Sequence, residues 1–130
     1  MKKWVLVVDD DAGVRETVVD LLTFGGFRVE AVADGRLALE TLGRAEALPA
    51  LLVVDLEMPI MSGWELIAEL RKNARLAAIP YVIFSALGCG DERMSELDAE
   101  ACVPKGGSTL ELLRVVERCT GRVPQAAGLP

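Results

Sequence analysis

A chain of 130 residues and 14.0 kDa, 52% hydrophobic and 26% charged, has room for one domain around one core and is too apolar to be disordered. Its net charge of −6 argues against direct nucleic-acid binding, which rests on Lys and Arg contacts to phosphate, and against attraction to anionic membranes. Without histidine, and with three cysteines (Cys89, Cys102, Cys119) that form no CxxC pair, the chain offers no zinc site, no histidine-based triad and no disulfide framework, so a reducing, cytoplasmic setting is expected.

The N-terminal lysines precede only five apolar residues, Trp4 to Val8, too few for a signal-peptide core or a membrane span. That β-branched run reads instead as a strand buried on both faces. Val14, Val18, Leu21 and Leu22 recur at helical spacing up to Phe24, and Gly25-Gly26 terminates the helix. Phe27 to Val32 alternates as a strand, and Asp34 is placed to cap a helix running through Leu37, Leu39 and Leu42. Leu51 to Val54 is a second buried strand. Ser62 and Glu65 form a capping box for a helix whose inner face is Leu66, Ile67 and Leu70. Tyr81 to Phe84 is the fourth strand. A glycine-broken segment follows, with a short helix expected near Asp91 to Ala99 and a fifth strand at Ala101 to Val103. Ser108 and Glu111 form another capping box, for a last helix through Leu113, Val116 and Cys119. Five β-α repeats predict an α/β fold with a doubly wound parallel sheet. Gly121 to Pro130 has two prolines, two glycines and no period, and reads as a tail or the start of a linker.

Ligands of such sheets bind beyond the carboxyl ends of the strands. The polar residues just past those ends are Asp9, Asp10 and Asp11 after the first strand, Asp55 after the third, Ser85 at the fourth and Lys105 after the fifth. Closely packed carboxylates repel, and a hard divalent cation such as Mg²⁺, which prefers oxygen ligands, would neutralise them. A carboxylate such as Asp55 can form an aspartyl-phosphate, with Ser85 and Lys105 supplying a hydrogen bond and a positive charge to the phosphoryl oxygens. Each residue also has a plainer reading. The acids at 9–11 could cap the first helix, Asp55 could be a turn residue, Ser85 a strand-end hydroxyl, Lys105 a surface lysine, Glu57 an exposed rim acid, Trp64 surface cover and Cys102 a small core filler.

Four motifs together resemble the receiver domain of two-component response regulators over about Lys3 to Thr120: Val7-Val8-Asp9-Asp10, the run Asp55-Leu56-Glu57-Met58-Pro59-Ile60-Met61-Ser62-Gly63, Ser85-Ala86, and Lys105. Asp34-Gly35 fits the same family. The resemblance, to a stand-alone receiver like that of chemotaxis, implies a flavodoxin-like (βα)5 sandwich with strand order 2-1-3-4-5 and a receiver domain at residues 1–120. It implies Asp55 as the phosphoacceptor, Mg²⁺ held by Asp10, Asp55 and the Glu57 backbone carbonyl, and Asp9 acting through water. It further implies a sensor histidine kinase or phosphotransfer protein as donor, and a downstream protein partner or a severed output domain as receiver of the signal. Such a domain promotes its own phosphorylation and dephosphorylation without being an enzyme.

The chain departs from the family where the lysine is followed by proline, since Lys105 precedes Gly106-Gly107. A cis bond without proline costs roughly 3 kcal/mol, so a trans Lys105–Gly106 bond is expected. Cys102 stands where the family has an aromatic switch residue, and the Ser85-to-Lys105 segment is short. Glu57 and Leu87 offer poor guidance to a hydrolytic water, from which a long-lived phosphorylated state is expected. Two alternatives stand beside the switch: a pseudo-receiver that binds partners without phosphorylation, and a haloacid-dehalogenase-like phosphohydrolase.

Overall fold

In the computed structural model, which describes residues 2–121, five strands and four α-helices follow one another, alternating except between the fourth and fifth strands. They are β1 (Trp4–Val8), α1 (Ala12–Phe24), β2 (Arg28–Val32), α2 (Gly35–Arg44), β3 (Leu51–Val54), α3 (Gly63–Arg71), β4 (Tyr81–Ser85), β5 (Ala101–Pro104) and α4 (Thr109–Thr120), with short 3-10 turns at Leu76–Ala78 and Glu92–Leu97. All strand pairs are parallel, as the β-α pattern predicts, and the order is β2-β1-β3-β4-β5, as the family resemblance implies.

The central strands are buried on both faces, which is why β1, β3 and β4 read as unbroken apolar runs. Alternate residues serve opposite layers. Trp4, Leu6 and Val8 face Leu42, Leu66, Ile67 and Leu70 of α2 and α3. Val5 and Val7 face Val18, Leu22, Leu112 and Val116 of α1 and α4. Among the described residues no helix is long and apolar enough to cross a membrane.

The expected caps mostly form. Asp34 accepts from the Leu37 amide, and Ser62 and Glu65 close a reciprocal capping box. Ser108 caps α4 through the Leu110 amide, but the structure shows no reciprocal bond from Glu111, so the second capping box is only half made.

Two expectations need correction. The fourth crossover carries no α-helix: it is a 3-10 turn, Glu92–Leu97, capped by Asp91 and ended by Asp98 in the left-handed region at φ 56°. With glycines at 88 and 90, and only Met94 and Leu97 of the turn packed on the α2/α3 layer, this connection lacks the apolar stripe that docks an α-helix. The second correction concerns the cysteines. Cys89 and Cys102 form a disulfide with a Cα–Cα distance of 5.9 Å, and Cys119 is the free thiol. A sequence separation of 13 carries no local signal; the pairing arises because the loop after β4 folds back beside β5. The Lys105–Gly106 bond is trans, as expected, there being no cis bond among the described residues. Of the expected tail, only Gly121 is described: it ends α4 in the left-handed region at φ 73°. Positions 122–130 lie outside the described residues.

Candidate functional site

Parallel register carries the polar residues of four strands to one edge. The Asp55 amide donates to the Val8 carbonyl at 2.9 Å and the Asp9 amide to the Val32 carbonyl at 3.1 Å, so both acids extend the ladder by one residue and stop at its mouth. Ser85 pairs with Pro104, and the next amide, of Lys105, donates to the Ser85 carbonyl at 2.9 Å. The crevice between β1 and β3, where strand order reverses, is thereby lined by Asp9, Asp10 and Asp55.

The three consecutive acids divide their roles. Asp11 is the N-cap of α1, its carboxylate accepting from the Val14 amide at 3.1 Å, while its own amide donates to Asp9 Oδ1 at 3.0 Å. Asp9 and Asp10 are left to the crevice, Asp9 buried and Asp10 exposed. One carboxylate oxygen from each of Asp9, Asp10 and Asp55 lies within 4.8 Å of the others. The Arg15 guanidinium donates to the Asp9 carbonyl at 2.8 Å and fixes the backbone there.

Lys105 supplies the only amine facing these acids among the ion pairs of the described residues. Its Nζ lies 2.7 Å from Asp9 Oδ2 and 3.5 Å from Asp55 Oδ2, so it belongs first to Asp9. The Asp9 and Asp55 side chains are 3% and 5% exposed and that of Lys105 16%, so water screens this triad weakly. Burial, reinforced by the Asp9 charge, pushes the Asp55 carboxyl from 3.8 up to about 6, against the opposing pull of Lys105 and the Glu57 amide. Burial alone would lower the Lys105 amine, but its hydrogen bond to Asp9 and the charges of Asp55 and Asp9 outweigh that and raise it.

Ser85 is buried, and its Oγ accepts from the Leu87 amide at 3.1 Å. The Glu57 amide donates to Asp55 Oδ1 at 3.3 Å while the residue itself is exposed, as is Leu87. Trp64 is half-buried under the Arg93 guanidinium, 4.6 Å from its ring centroid, which fits its reading as surface cover.

Two features of the Asp55 loop carry no signal in the sequence pattern. Ile60 adopts φ 68°, and the Met61 amide donates to the Pro59 carbonyl at 2.7 Å, so a β-branched residue sits at the centre of a tight turn with a strained backbone. Gly63 packs against Asp55 itself: a Cβ there would meet the Asp55 carbonyl at 2.3 Å and Leu56 Cα at 2.8 Å. Neither atom is a flexible side-chain end. Gly63→Ala should therefore lower the urea midpoint by an amount corresponding to about 1–3 kcal/mol. An unchanged midpoint would show that the loop can withdraw from Asp55.

The parallel sheet, the switch-point crevice and the acid cluster countered by a strand-end lysine define a flavodoxin-like α/β domain with an aspartate-centred site. The chain belongs to the response regulator receiver domain family, which it matches over residues 5–117, and so to two-component signalling; this sets the haloacid-dehalogenase alternative aside. It is 38% identical over 111 residues to the response regulator MprA of Mycolicibacterium vanbaalenii, a match covering 84% of this chain and 46% of that protein. It is 40% identical over 82 residues to the two-component response regulator ORR5 of Oryza sativa subsp. japonica, covering 63% and 60% respectively. The chain thus spans about half the length of the curated relatives it matches. Among solved structures, chemotaxis protein CheY4 of Vibrio cholerae superposes with a TM-score of 0.81 at 26% identity, covering 92% of this chain and 99% of that one. The non-phosphorylated HemR receiver domain of Leptospira biflexa does so with a TM-score of 0.78 at 31% identity, covering 94% and 97%.

Proposed function

We propose that this chain is a phosphoacceptor switch whose acceptor is Asp55. The observation that carries the reading is one buried carboxylate held between an acid cluster and an amine: Asp55 is 4% exposed, with Asp9 and Asp10 oxygens within 4.8 Å and Lys105 Nζ at 3.5 Å. A carboxylate oxygen of Asp55 attacks the phosphorus of a phosphohistidine on a sensor histidine kinase or phosphotransfer protein. The O–P bond forms as the N–P bond breaks, and the imidazole leaves. The Lys105 amine and the Ser85 hydroxyl stand at the same edge to hold the phosphoryl oxygens, and Lys105 must release part of its contact with Asp9 to do so. The modified domain then changes its affinity for a downstream protein or for an output domain. It acts on its own Asp55 and turns over no external substrate. Its working compartment in this reading is the cytoplasm.

Mg²⁺ fits the donor set. Asp9, Asp10 and Asp55 offer hard oxygen ligands, and burial together with the Asp9 charge raises the Asp55 carboxyl despite the opposing pull of Lys105. Asp10, Asp55 and the Glu57 carbonyl would hold the ion, with Asp9 behind them. When bound, Mg²⁺ supplies the positive charge that lets an anionic phosphoryl group approach a carboxylate.

Mg²⁺ should stabilise the domain against urea, by about 1.4 kcal/mol at roughly ten times its Kd. Asp10→Ala should raise the metal-free stability by relieving repulsion and abolish the Mg²⁺ increment. A loss of metal-free stability in that variant would make Asp10 structural. The acceptor reading itself is tested by incubation with acetyl phosphate and Mg²⁺, followed by phosphate-affinity electrophoresis. The parent should acquire one phosphoryl group and Asp55→Asn none; equal labelling of the two sinks the assignment.

A further inference from the structure

The disulfide lies on the two chain segments that carry Ser85 and Lys105. Cys89 follows Ser85 by four residues and Cys102 precedes Lys105 by three. Between them runs the connection that lacks an α-helix. Its far end is secured: the Arg71 guanidinium donates to the Glu96 carbonyl at 2.8 Å and also to that of Leu97, and the Tyr81 hydroxyl donates to the Leu97 carbonyl. Its near end has much weaker ties. A Cβ at Gly88 or Gly90 would meet nothing within 4 Å, Leu87 is 73% exposed, the Gly88 amide reaches the Ser85 carbonyl at a long 3.4 Å, and Arg93 lies across the Trp64 face while pairing with exposed Asp91. Met94 packs on the core beside Cys102. The Cys89–Cys102 bond is thus the covalent tie between the loop after β4 and β5. The loop it restrains includes the Leu87 amide, which donates to Ser85 Oγ.

We propose that Cys89 and Cys102 form a reversible thiol–disulfide site that sets the order of the loop at 86–94 and, through it, the reactivity of the Asp55 edge. The second half rests on the phosphoacceptor reading. Cys89 is exposed and Cys102 half-buried, so an incoming thiolate can reach the Cys89 sulfur. The reductant is a dithiol of the thioredoxin class. One of its thiolates attacks Cys89 Sγ to form a mixed disulfide, and Cys102 leaves as a thiolate and takes up a proton. The second thiol of the reductant then attacks the mixed disulfide and releases Cys89 as a thiol, the reductant becoming a disulfide. Two electrons and two protons are transferred in all, and the reverse exchange with an oxidised dithiol restores the bridge. In compartments that keep thiols reduced, the disulfides that do occur are typically transient or redox-sensing. The bridged loop holds the Leu87 amide on Ser85, whereas the reduced loop leaves its near end to the Arg93–Trp64 contact and the packing of Met94.

The test uses the full chain, oxidised or treated with dithiothreitol, alongside Cys89→Ser and, as a second variant, Cys102→Ser. Alkylation under denaturing conditions should modify Cys119 alone in the oxidised chain and all three cysteines after reduction. Hydrogen exchange at 86–94 should lose protection on reduction and in both variants. Labelling by acetyl phosphate should be about five-fold slower in the reduced parent and in Cys89→Ser, a coupling of ordinary allosteric size, with no redox response in either variant. Three alkylated cysteines after exposure to an oxidised dithiol, or unchanged hydrogen exchange on reduction, would overturn the inference. So would a labelling rate that is equal or faster in the reduced form. If neither form is labelled while exchange at 86–94 still responds to reduction, the thiol–disulfide switch stands and the phosphoacceptor reading falls.

Discussion

Asp55→Asn should make the metal-free domain more stable at neutral pH. Folding places the Asp55 carboxyl in a buried site beside Asp9, raising it from 3.8 to about 6. For an acid raised on folding, the native state holds the proton more tightly than the unfolded chain, so stability falls as pH rises between the two values. Below 3.8 the carboxyl is neutral in both states and costs nothing; above about 6 it is ionised in both and the whole penalty is felt. At about 1.36 kcal/mol for each tenfold change in proton affinity, the penalty at pH 8 is about 3 kcal/mol. An amide keeps the shape and the bond from the Glu57 amide without the charge, and Lys105 keeps Asp9 at 2.7 Å. Urea titrations should therefore show Asp55→Asn more stable than the parent by about 1–3 kcal/mol at pH 8, the gap roughly halving by pH 5. Mg²⁺ should narrow the gap by stabilising the parent alone. A less stable Asp55→Asn, or a gap that widens towards acid, would show that the carboxylate is well compensated in the fold.

Lys105→Met should have the opposite and larger effect. The methionine keeps the apolar stem and removes the amine that lies 2.7 Å from Asp9 and 3.5 Å from Asp55. Two acids with side chains 3% and 5% exposed would then lose the one amine among the described residues that pairs with both carboxylates. Removing one partner of a buried ion pair typically costs about 3–5 kcal/mol, mostly from the uncompensated charge left behind. Asp55 would relieve part of this by taking up a proton, so the loss should grow between pH 5 and pH 8. Adding Asp55→Asn to Lys105→Met should recover a large part of the loss, as residues within one network couple. Mg²⁺ should also recover part of it. A loss of under about 1 kcal/mol at pH 8, typical of exposed ion pairs, would mean that Lys105 is a surface lysine.

Much of this architecture is legible in the residues because parallel sheets impose a strong pattern. Buried strands such as Trp4–Val8 and Leu51–Val54 have no polar face to confuse the reading, and the first polar residue after each run is a strand end at the crevice. Asp9, Asp55, Ser85 and Lys105 are found that way. What spacing cannot tell is which strand-end groups touch. Lys105 lies nearer Asp9 than Asp55, a preference decided by the register of β4 with β5 and by side-chain packing. The three acids at 9–11 look alike in sequence, and only the start of α1 separates the capping Asp11 from the other two. The short helix expected near Asp91 to Ala99 forms as the 3-10 segment Glu92–Leu97 behind its Asp91 cap, and has too few apolar contacts to extend into an α-helix. The disulfide leaves no mark in the cysteine spacing because its partners meet through tertiary folding alone.

Borohydride trapping followed by peptide mapping tests the central claim most directly. The chain is incubated with acetyl phosphate and Mg²⁺, and any acyl phosphate is reduced to the corresponding alcohol. An aspartyl-phosphate at Asp55 predicts homoserine at that one position, in amounts that track the phosphoryl label. Homoserine at Asp9 or Asp10 instead, or none at all in a chain that carries the label, would contradict it.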